Sequence, residues 1–215
     1  IDALSRGKLT TEYRYHHGYW DGAEREFRGF GHVEQLDTET IEHYNAHGLH
    51  GTKVDFQDVE KHYFSPPTLT KTWFHLGPVG EEYSTWEPVD WKEHDWSEGY
   101  WDGDPQLLDH TGRVAKFLGT IEDRRARRAA LRTLRGRILR TELYALDDDS
   151  ERETRPYTVT EHAYDLREEA AAFADLPRIF FPYAVAQRVT QWERGDDPMT
   201  QFNFTGVYDA WGQPQ

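Results

Sequence analysis

Residues 13–39, YRYHHGYWDGAEREFRGFGHVEQLDTE, alternate, turn and alternate again, a pattern that commits this part of the chain to an antiparallel hairpin. Tyr13 and Tyr15 alternate with Glu12, Arg14 and His16, and Asp21-Gly22 then supplies a turn dipeptide that takes positive φ at low steric cost. The return arm sets Glu24, Glu26 and Arg28 on one face against Arg25, Phe27 and Gly29 on the other. Gly29 and Gly31 flank Phe30, which predicts a bulge or a close backbone crossing rather than a plain strand. The charges at Glu24, Arg25, Glu26 and Arg28 are placed to pair across strands, each pair contributing about 0.2–1 kcal/mol.

The rest of the chain reads as mainly β with some helix: an antiparallel sheet strip with one Arg-rich helix and long surface loops. Residues 1–40 read as strands, and 41–64 as a short helix or irregular crossing. Leu69, Lys71, Trp73 and His75 alternate with Thr70, Thr72 and Phe74 in a strand over 68–76, closed by Gly77-Pro78. Residues 81–109 hold ten Asp or Glu and one Lys among Tyr83, Trp86, Trp91, Trp96, Tyr100 and Trp101, the composition of a long surface loop. A helical region follows over 107–140. Within it, 121–136 carries Ala130, Leu131 and Leu134, continued by Ile138, at helical spacing, and Gly136 marks its end.

The period returns to two over 137–166, around a turn at 147–150. Residues 167–178 read as a polar, alanine-rich connector, and 179–208 as two more strands around the turn at 195–198. Three strands end in Tyr and Asp before a turn, at Tyr19–Gly22, Tyr144–Asp149 and Tyr208–Gly212. Aspartate suits that place because its side chain accepts backbone N–H bonds within the turn.

Composition narrows the function classes. With 37% hydrophobic but 14% aromatic residues in 215, the expected core is thin and aromatic, as in a sheet. A net charge of −14 argues against nucleic acid and anionic membrane surfaces, which need a basic footprint. No apolar run approaches the length of a membrane-spanning helix, so direct membrane insertion is not expected. The N-terminus has no signal-peptide pattern. It also lacks an initiator Met, so the expectation is a single fragment, 1–215, of a longer polypeptide. Its three regions are a hairpin and strand part (1–80), the acidic-aromatic loop and Arg-rich helix (81–140), and β-hairpins ending in Tyr-Asp (141–215). Zero cysteines exclude disulfides, thiolate metal sites and cysteine nucleophiles.

Each chemical candidate stands beside a plainer alternative. His43, His47 and His50 have the i, i+4 spacing of zinc ligands, but the glutamate of a catalytic HExxH is missing, and solvated histidines are the simpler expectation. Asp102, Asp104 and Asp109 around Gly103 begin like a calcium loop without its remaining ligands. The rings of 81–109 could stack on sugars, or pack onto the sheet while the acids face water or meet the arginine helix. The eight arginines from Arg124 to Arg140 suit intramolecular ion pairs in so acidic a chain. No phosphate loop, nucleophile elbow or dinucleotide fingerprint is present, so no catalytic residue and no cofactor are expected.

The hairpin resembles the YDG…REFRGFG…V…DTE signature of the B component of bacterial insecticidal toxin complexes, a family related to Rhs/YD-repeat proteins. Three later segments follow in the same order: TKTWFH with Gly77, LRTLRGRILRTELYALD (131–147) and RPYTVTEHAYDL (155–166). After 166 only Gln191-Trp192-Glu193-Arg194 with Asp197-Pro198, and Tyr208-Asp209, echo the familiar continuation. The resemblance implies the region before the YD-repeat shell. It implies a non-enzymatic strip of the shell wall that encloses a toxic cargo, secreted within a larger assembly. The implied partners are the remainder of the parent polypeptide and a C-component-like Rhs protein. Arg25, Glu26, Phe27, Arg28, Gly29, Phe30 and Gly31 would then fix the hairpin, Trp73, Phe74 and His75 the next strand, and Tyr208, Asp209 and Gly212 the last turn. The competing expectation is a carbohydrate-binding or glycan-processing β-domain built on 81–109, and a third is a calcium-stabilised adhesin-like module.

Overall fold

The computed structural model describes residues 11–22, 24–37, 60, 66–78, 97–147, 149–170 and 178–214. Seven strands form one antiparallel meander in chain order: β1 (Thr11–Asp21), β2 (Glu26–Asp37), β3 (Thr68–Phe74), β4 (Ile138–Ala145), β5 (Thr158–Ala170), β6 (Ile179–Gln191) and β7 (Met199–Phe204). Two helices, α1 (Gly112–Leu118) and α2 (Arg124–Arg132), lie between β3 and β4. The expectation for 41–64, including His43, His47 and His50, lies outside the described residues, apart from Glu60.

Strand lengths explain where the helices sit. β3 and β4 are short and meet β2 and β5 over only a few pairs, from His32↔Trp73 to Leu36↔Leu69 and from Arg140↔Glu161 to Leu143↔Thr158. The β1–β2 and β5–β6 hairpins run on past that end, to Asp21↔Glu26 and Ala170↔Ile179. The helical segment fills the notch between these two tall hairpins. Val114, Leu118, Ile121, Ala126, Ala130, Leu131 and Leu134 are buried there with Leu76, Leu166 and Phe180, and Tyr19, Phe117 and Tyr164 pack against them.

The Arg-rich helix expected within 121–136 is α2, and the wider helical region expected over 107–140 is not continuous but holds α1 as a separate helix before it. α1 ends at Gly119, and Asp123 then starts α2 by accepting the amides of Arg125 (3.1 Å) and Ala126 (3.0 Å). Ile138 shares the helical spacing by coincidence, because the chain has turned at Gly136 (φ 76°) and entered β4. The connector expected over 167–178 does not start at 167. Residues 167–170 complete β5, where Arg167 pairs with Phe181 and Glu168 with Phe180, and Arg178 clamps Glu168 through two 2.7 Å bonds. Polar residues are tolerated because this end of the hairpin rises beyond its neighbour on one side.

The hairpin carries the expected irregularity. Tyr19 faces Gly29 and Trp20 faces Phe27, so Arg28 is the extra residue of a bulge, and Gly29 adopts φ 105°. A Cβ at Gly29 would meet nothing within 4 Å, so any penalty is backbone strain alone. Gly29→Ala is expected to cost about 1–2 kcal/mol in urea unfolding. A neutral result would show that the bulge relaxes without positive φ.

Ion pairing at this tip departs from the cross-strand expectation. Arg28 does bond Asp21 across the hairpin, but Glu24 and Glu26 turn to α2 and the residues after it. Arg128 reaches Asp21 and Glu24, Arg132 reaches Glu24 and Glu26 (2.6 Å), and Arg135 reaches Glu26 and the carbonyls of Phe27 and Arg28 (2.9 Å each). The arginines of α2 therefore tie the helical plug to the hairpin, and Arg25 is exposed in the turn at φ 51°. Burial works to raise the Asp21 carboxyl, but the Glu24 amide, Arg28 and Arg128 outweigh it and hold the group below the ordinary range.

Candidate functional site

The sheet has two chemically opposite faces, and register alone sorts them. One face carries the row His16, His32, Trp73, Arg140, Glu161, Arg188, Phe202 and the row Arg14, Glu34, Lys71, Glu142, Val159, Thr190, Thr200. Arg140, Glu142, Glu161 and Arg188 on its central strands are buried because residues 97–110 cross above them. Glu98 accepts the Trp73 indole N–H (3.0 Å), the Trp101 amide bonds Glu142 (3.0 Å) and the Leu107 amide bonds Glu161 (3.3 Å).

Asp104 closes the network from above. It takes Arg188 Nη1 at 3.0 Å, Arg140 Nη1 at 2.9 Å and the Trp192 indole at 2.8 Å. Beneath it Arg140 bonds Glu142 (2.7 Å) and lies 3.3 Å from Glu161, which also takes Arg188 Nε at 2.8 Å. The remaining nitrogen of Arg140, Nη2, has no hydrogen-bond partner among the described residues, and the guanidinium lies 4.6 Å from the centre of the Tyr100 ring. Three carboxylates thus share two guanidiniums, with His110 3.6 Å from Glu161. Burial works to raise Glu161, but His110, Arg188 and Arg140 prevail and hold it below the usual glutamate range. Burial, then the Glu142 charge, pushes the Tyr144 hydroxyl well up, so it stays protonated and donates to Glu142.

The expectation that the loop's acids face water is therefore corrected for Asp104, which is completely enclosed. Asp102 and Asp109 stay exposed, and Asp109 accepts the amides of Thr111 (3.1 Å) and Gly112 (2.7 Å) at the start of α1. The three are not brought together, and among the described residues no group of His, Asp or Glu converges as metal ligands. Tyr100 packs edge-on against Trp73 and Trp101 against Trp192, so these two rings point into the molecule instead of forming a platform. A Cβ at Gly103 would lie 2.3 Å from the Trp101 ring, which is why glycine stands there. Tyr83, Trp86, Trp91 and Trp96 lie outside the described residues.

Towards β1, His32 stacks flat on Trp73 at 4.5 Å and against His16 at 4.9 Å. Burial lowers the His32 pKa from 6.5 to about 4, and His16, Lys71 and His17 push the same way against Glu34. A lowered histidine favours the neutral form in the fold. Its contribution is complete above pH about 6.5 and is lost as pH falls towards 4. His32→Phe is expected to shift the acid unfolding midpoint downwards, and an unchanged midpoint would show that His32 does not limit acid stability. His75 is buried just past β3 and accepts the Gly77 amide through Nδ1 (2.9 Å), while Phe74 closes the strand against Ile138. The sequence offers Arg140 for intramolecular pairing, but nothing in it marks Arg140, Glu142, Glu161 and Arg188 as buried, because period-two charges in a strand ordinarily mean a solvated face.

The aspartates of the three Tyr-Asp turns all accept backbone amides, two to four residues further on. Asp21 accepts the Glu24 amide (3.2 Å), Asp149 the amides of Glu151 and Arg152 (3.2 Å each), and Asp209 those of Trp211 and Gln213 (2.8 Å each). Tyr208 bridges to Pro214, and Gly212 turns with φ 80°.

Comparison with known families and structures decides the relationship. Residues 1–77 match the middle/N-terminal region of the insecticide toxin TcdB, and residues 129–215 match its middle/C-terminal region. The chain belongs to the TcdB middle region, part of the B component of insecticidal toxin complexes. The TcdB2-TccC3 crystal structure matches with 29% identity and a TM-score of 0.64, over 96% of this chain and 9% of the chain compared. TcdB2-TccC3-Cdc42 matches with 30% identity and 0.65, again over 96% and 9%. The Photorhabdus luminescens Tc holotoxin pore matches with 30% and 0.65, over 98% and 9%. The chain thus spans about a tenth of the length of these relatives. Comparison with curated proteins finds no match.

Proposed function

We propose that this TcdB middle region is a non-enzymatic segment of shell wall, which with a C-component-like Rhs protein encloses and helps deliver a toxic cargo. The observation that carries this is the seven-strand meander with both ends open: among the described residues β1 pairs only with β2 and β7 only with β6. Large apolar side chains stand exposed on both edges, Tyr13, Tyr15 and Trp20 on β1 and Met199, Phe202 and Phe204 on β7. Such edges are a liability in an isolated domain and a joint in a continuing sheet. Relatives solved together with TccC3 support a C-component partner of that kind. The Tyr-Asp turns support continuity with a YD-type repeat, those at Asp21 and Asp149 joining β1 to β2 and β4 to β5. The division at 1–80, 81–140 and 141–215 becomes, on this proposal, three parts of one segment of wall. The acidic charge speaks against nucleic acid as a partner. No helix among the described residues is long and apolar enough to cross a membrane.

The test is sedimentation of the full-length parent with its C-component partner. A compact co-sedimenting complex is expected, and it should be lost when residues 199–204 are replaced by an alternating Pro and Lys sequence that cannot accept a further strand. Full complex formation by that variant would contradict the wall proposal.

A further inference from the structure

The pentapeptide Gly-Tyr-Trp-Asp-Gly occurs twice in the chain, at 18–22 and at 99–103. It holds both Asp-Gly dipeptides of the chain, and the fold puts them in opposite surroundings. In the first copy Asp21 is 2% exposed. Its carboxylate is tied to the guanidiniums of Arg28 and Arg128 and accepts the Glu24 amide at 3.2 Å. In the second copy Asp102 is exposed, and its carboxylate has no hydrogen-bond or ion-pair partner among the described residues. Gly22 and Gly103 are both exposed, so access to the following amide does not separate the copies. The state of the carboxyl group does.

An aspartate followed by glycine is open to attack by its own backbone, because glycine has no Cβ to screen its amide nitrogen. That nitrogen attacks Cγ of the protonated side chain and forms a new C–N bond. The carboxyl hydroxyl leaves with the amide proton as water, and a five-membered succinimide closes. Water then adds to one of the two ring carbonyls. Breaking the new Cγ–N bond restores aspartate. Breaking the original backbone C–N bond leaves isoaspartate, with Cβ carried into the main chain and a free carboxylate beside it. One water leaves and one returns, so no other reactant is needed. A carboxylate held between two guanidiniums stays ionised and cannot give up its hydroxyl, and its bonds stop it turning onto the next nitrogen. An exposed carboxyl without partners meets neither obstacle.

We infer that Asp102-Gly103 is a site of spontaneous isoaspartate formation, and that the reaction there loosens the hold of Asp104 on its arginines. The inference is independent of the wall proposal. The Trp101 amide is bonded to Glu142 (3.0 Å), while Asp104 holds Arg188 Nη1 (3.0 Å) and the Trp192 indole (2.8 Å). Residues 102 and 103 are therefore the span between two anchored neighbours. Isoaspartate lengthens that span by one carbon, and the Trp101 ring already occupies the place of a Gly103 Cβ. The added length is taken up by displacing Asp104, which sits above the whole charge network.

The full-length parent, assembled with its C-component partner, is aged in heavy-oxygen water near neutral pH and then digested with trypsin in ordinary water. Each passage through the succinimide leaves one heavy oxygen on the residue. The two copies fall on separate tryptic peptides, 15–25 and 93–113, and fragmentation places the label within each. Uptake at Asp102 is expected to exceed that at Asp21 at least about tenfold, because Asp21 reacts only from locally opened molecules. In urea the two rates should converge, since the local sequence is the same. Asp102→Glu should abolish uptake there, because the larger ring closes far more slowly. Equal uptake in the folded assembly, or none at Asp102, would overturn the site. Aged material should also exchange the amides of Asp104 and Leu107 faster than fresh material does. Unchanged exchange after isomerisation would show that Asp104 keeps its hold, and would overturn that half of the inference.

Discussion

Arg140→Met is expected to destabilise the chain by about 3–5 kcal/mol in urea unfolding, since breaking a buried ion network leaves uncompensated charge behind. Arg140 is fully buried and touches Asp104, Glu142 and Glu161, so its removal leaves Asp104 and Glu161 to share Arg188 and leaves Glu142 with no guanidinium among the described residues. The remaining carboxylates would then bind protons more readily in the folded state than in the unfolded one. The deficit is therefore largest near neutral pH and shrinks as pH falls and they protonate, which follows from proton linkage. A loss below about 1 kcal/mol, or one independent of pH, would show that water reaches the network and screens it.

Trp73→Ala is expected to cost a similar amount, about 3–5 kcal/mol, the usual range for deleting a buried indole. Trp73 is 2% exposed and joins three parts of the molecule: it stacks on His32 of β2, meets Tyr100 edge-on and donates to the Glu98 carbonyl. Its loss should therefore also free the 97–100 end of the crossing segment, seen as faster amide exchange at Trp101 and Asp104. Normal exchange there would mean that Asp104 and its arginines hold the segment without the indole.

The strands were legible because period two survives wherever a sheet has unlike faces. β1, β2 and β3 were readable for that reason, as was the bulge, from the glycines flanking Phe30. The turns were legible from chemistry: Asp149 and Asp209 accept the backbone amides that aspartate before a turn is suited to accept. The charge network was not legible. Arg140, Glu142, Glu161 and Arg188 alternate in their strands as solvated residues would, and only the crossing segment, placed by tertiary structure, makes them interior. The split of the helical region was missed because Asp123 as a cap competes with an apolar spacing that runs on to Ile138 by chance. Arg167 and Glu168 read as connector because the strand there leans on one neighbour only, and that depends on β4 being short.

The central claim is that β7 is a joint in a larger sheet, and amide hydrogen exchange at Met199–Phe204 tests it most directly. In the isolated chain the amides of β7 that point away from β6 should exchange as fast as a free strand edge. In the full-length parent assembled with its C-component partner the same amides should be protected to the level of the amides paired with β6. Equal, fast exchange in both states would contradict the account, because the edge would then be free in the assembly as well.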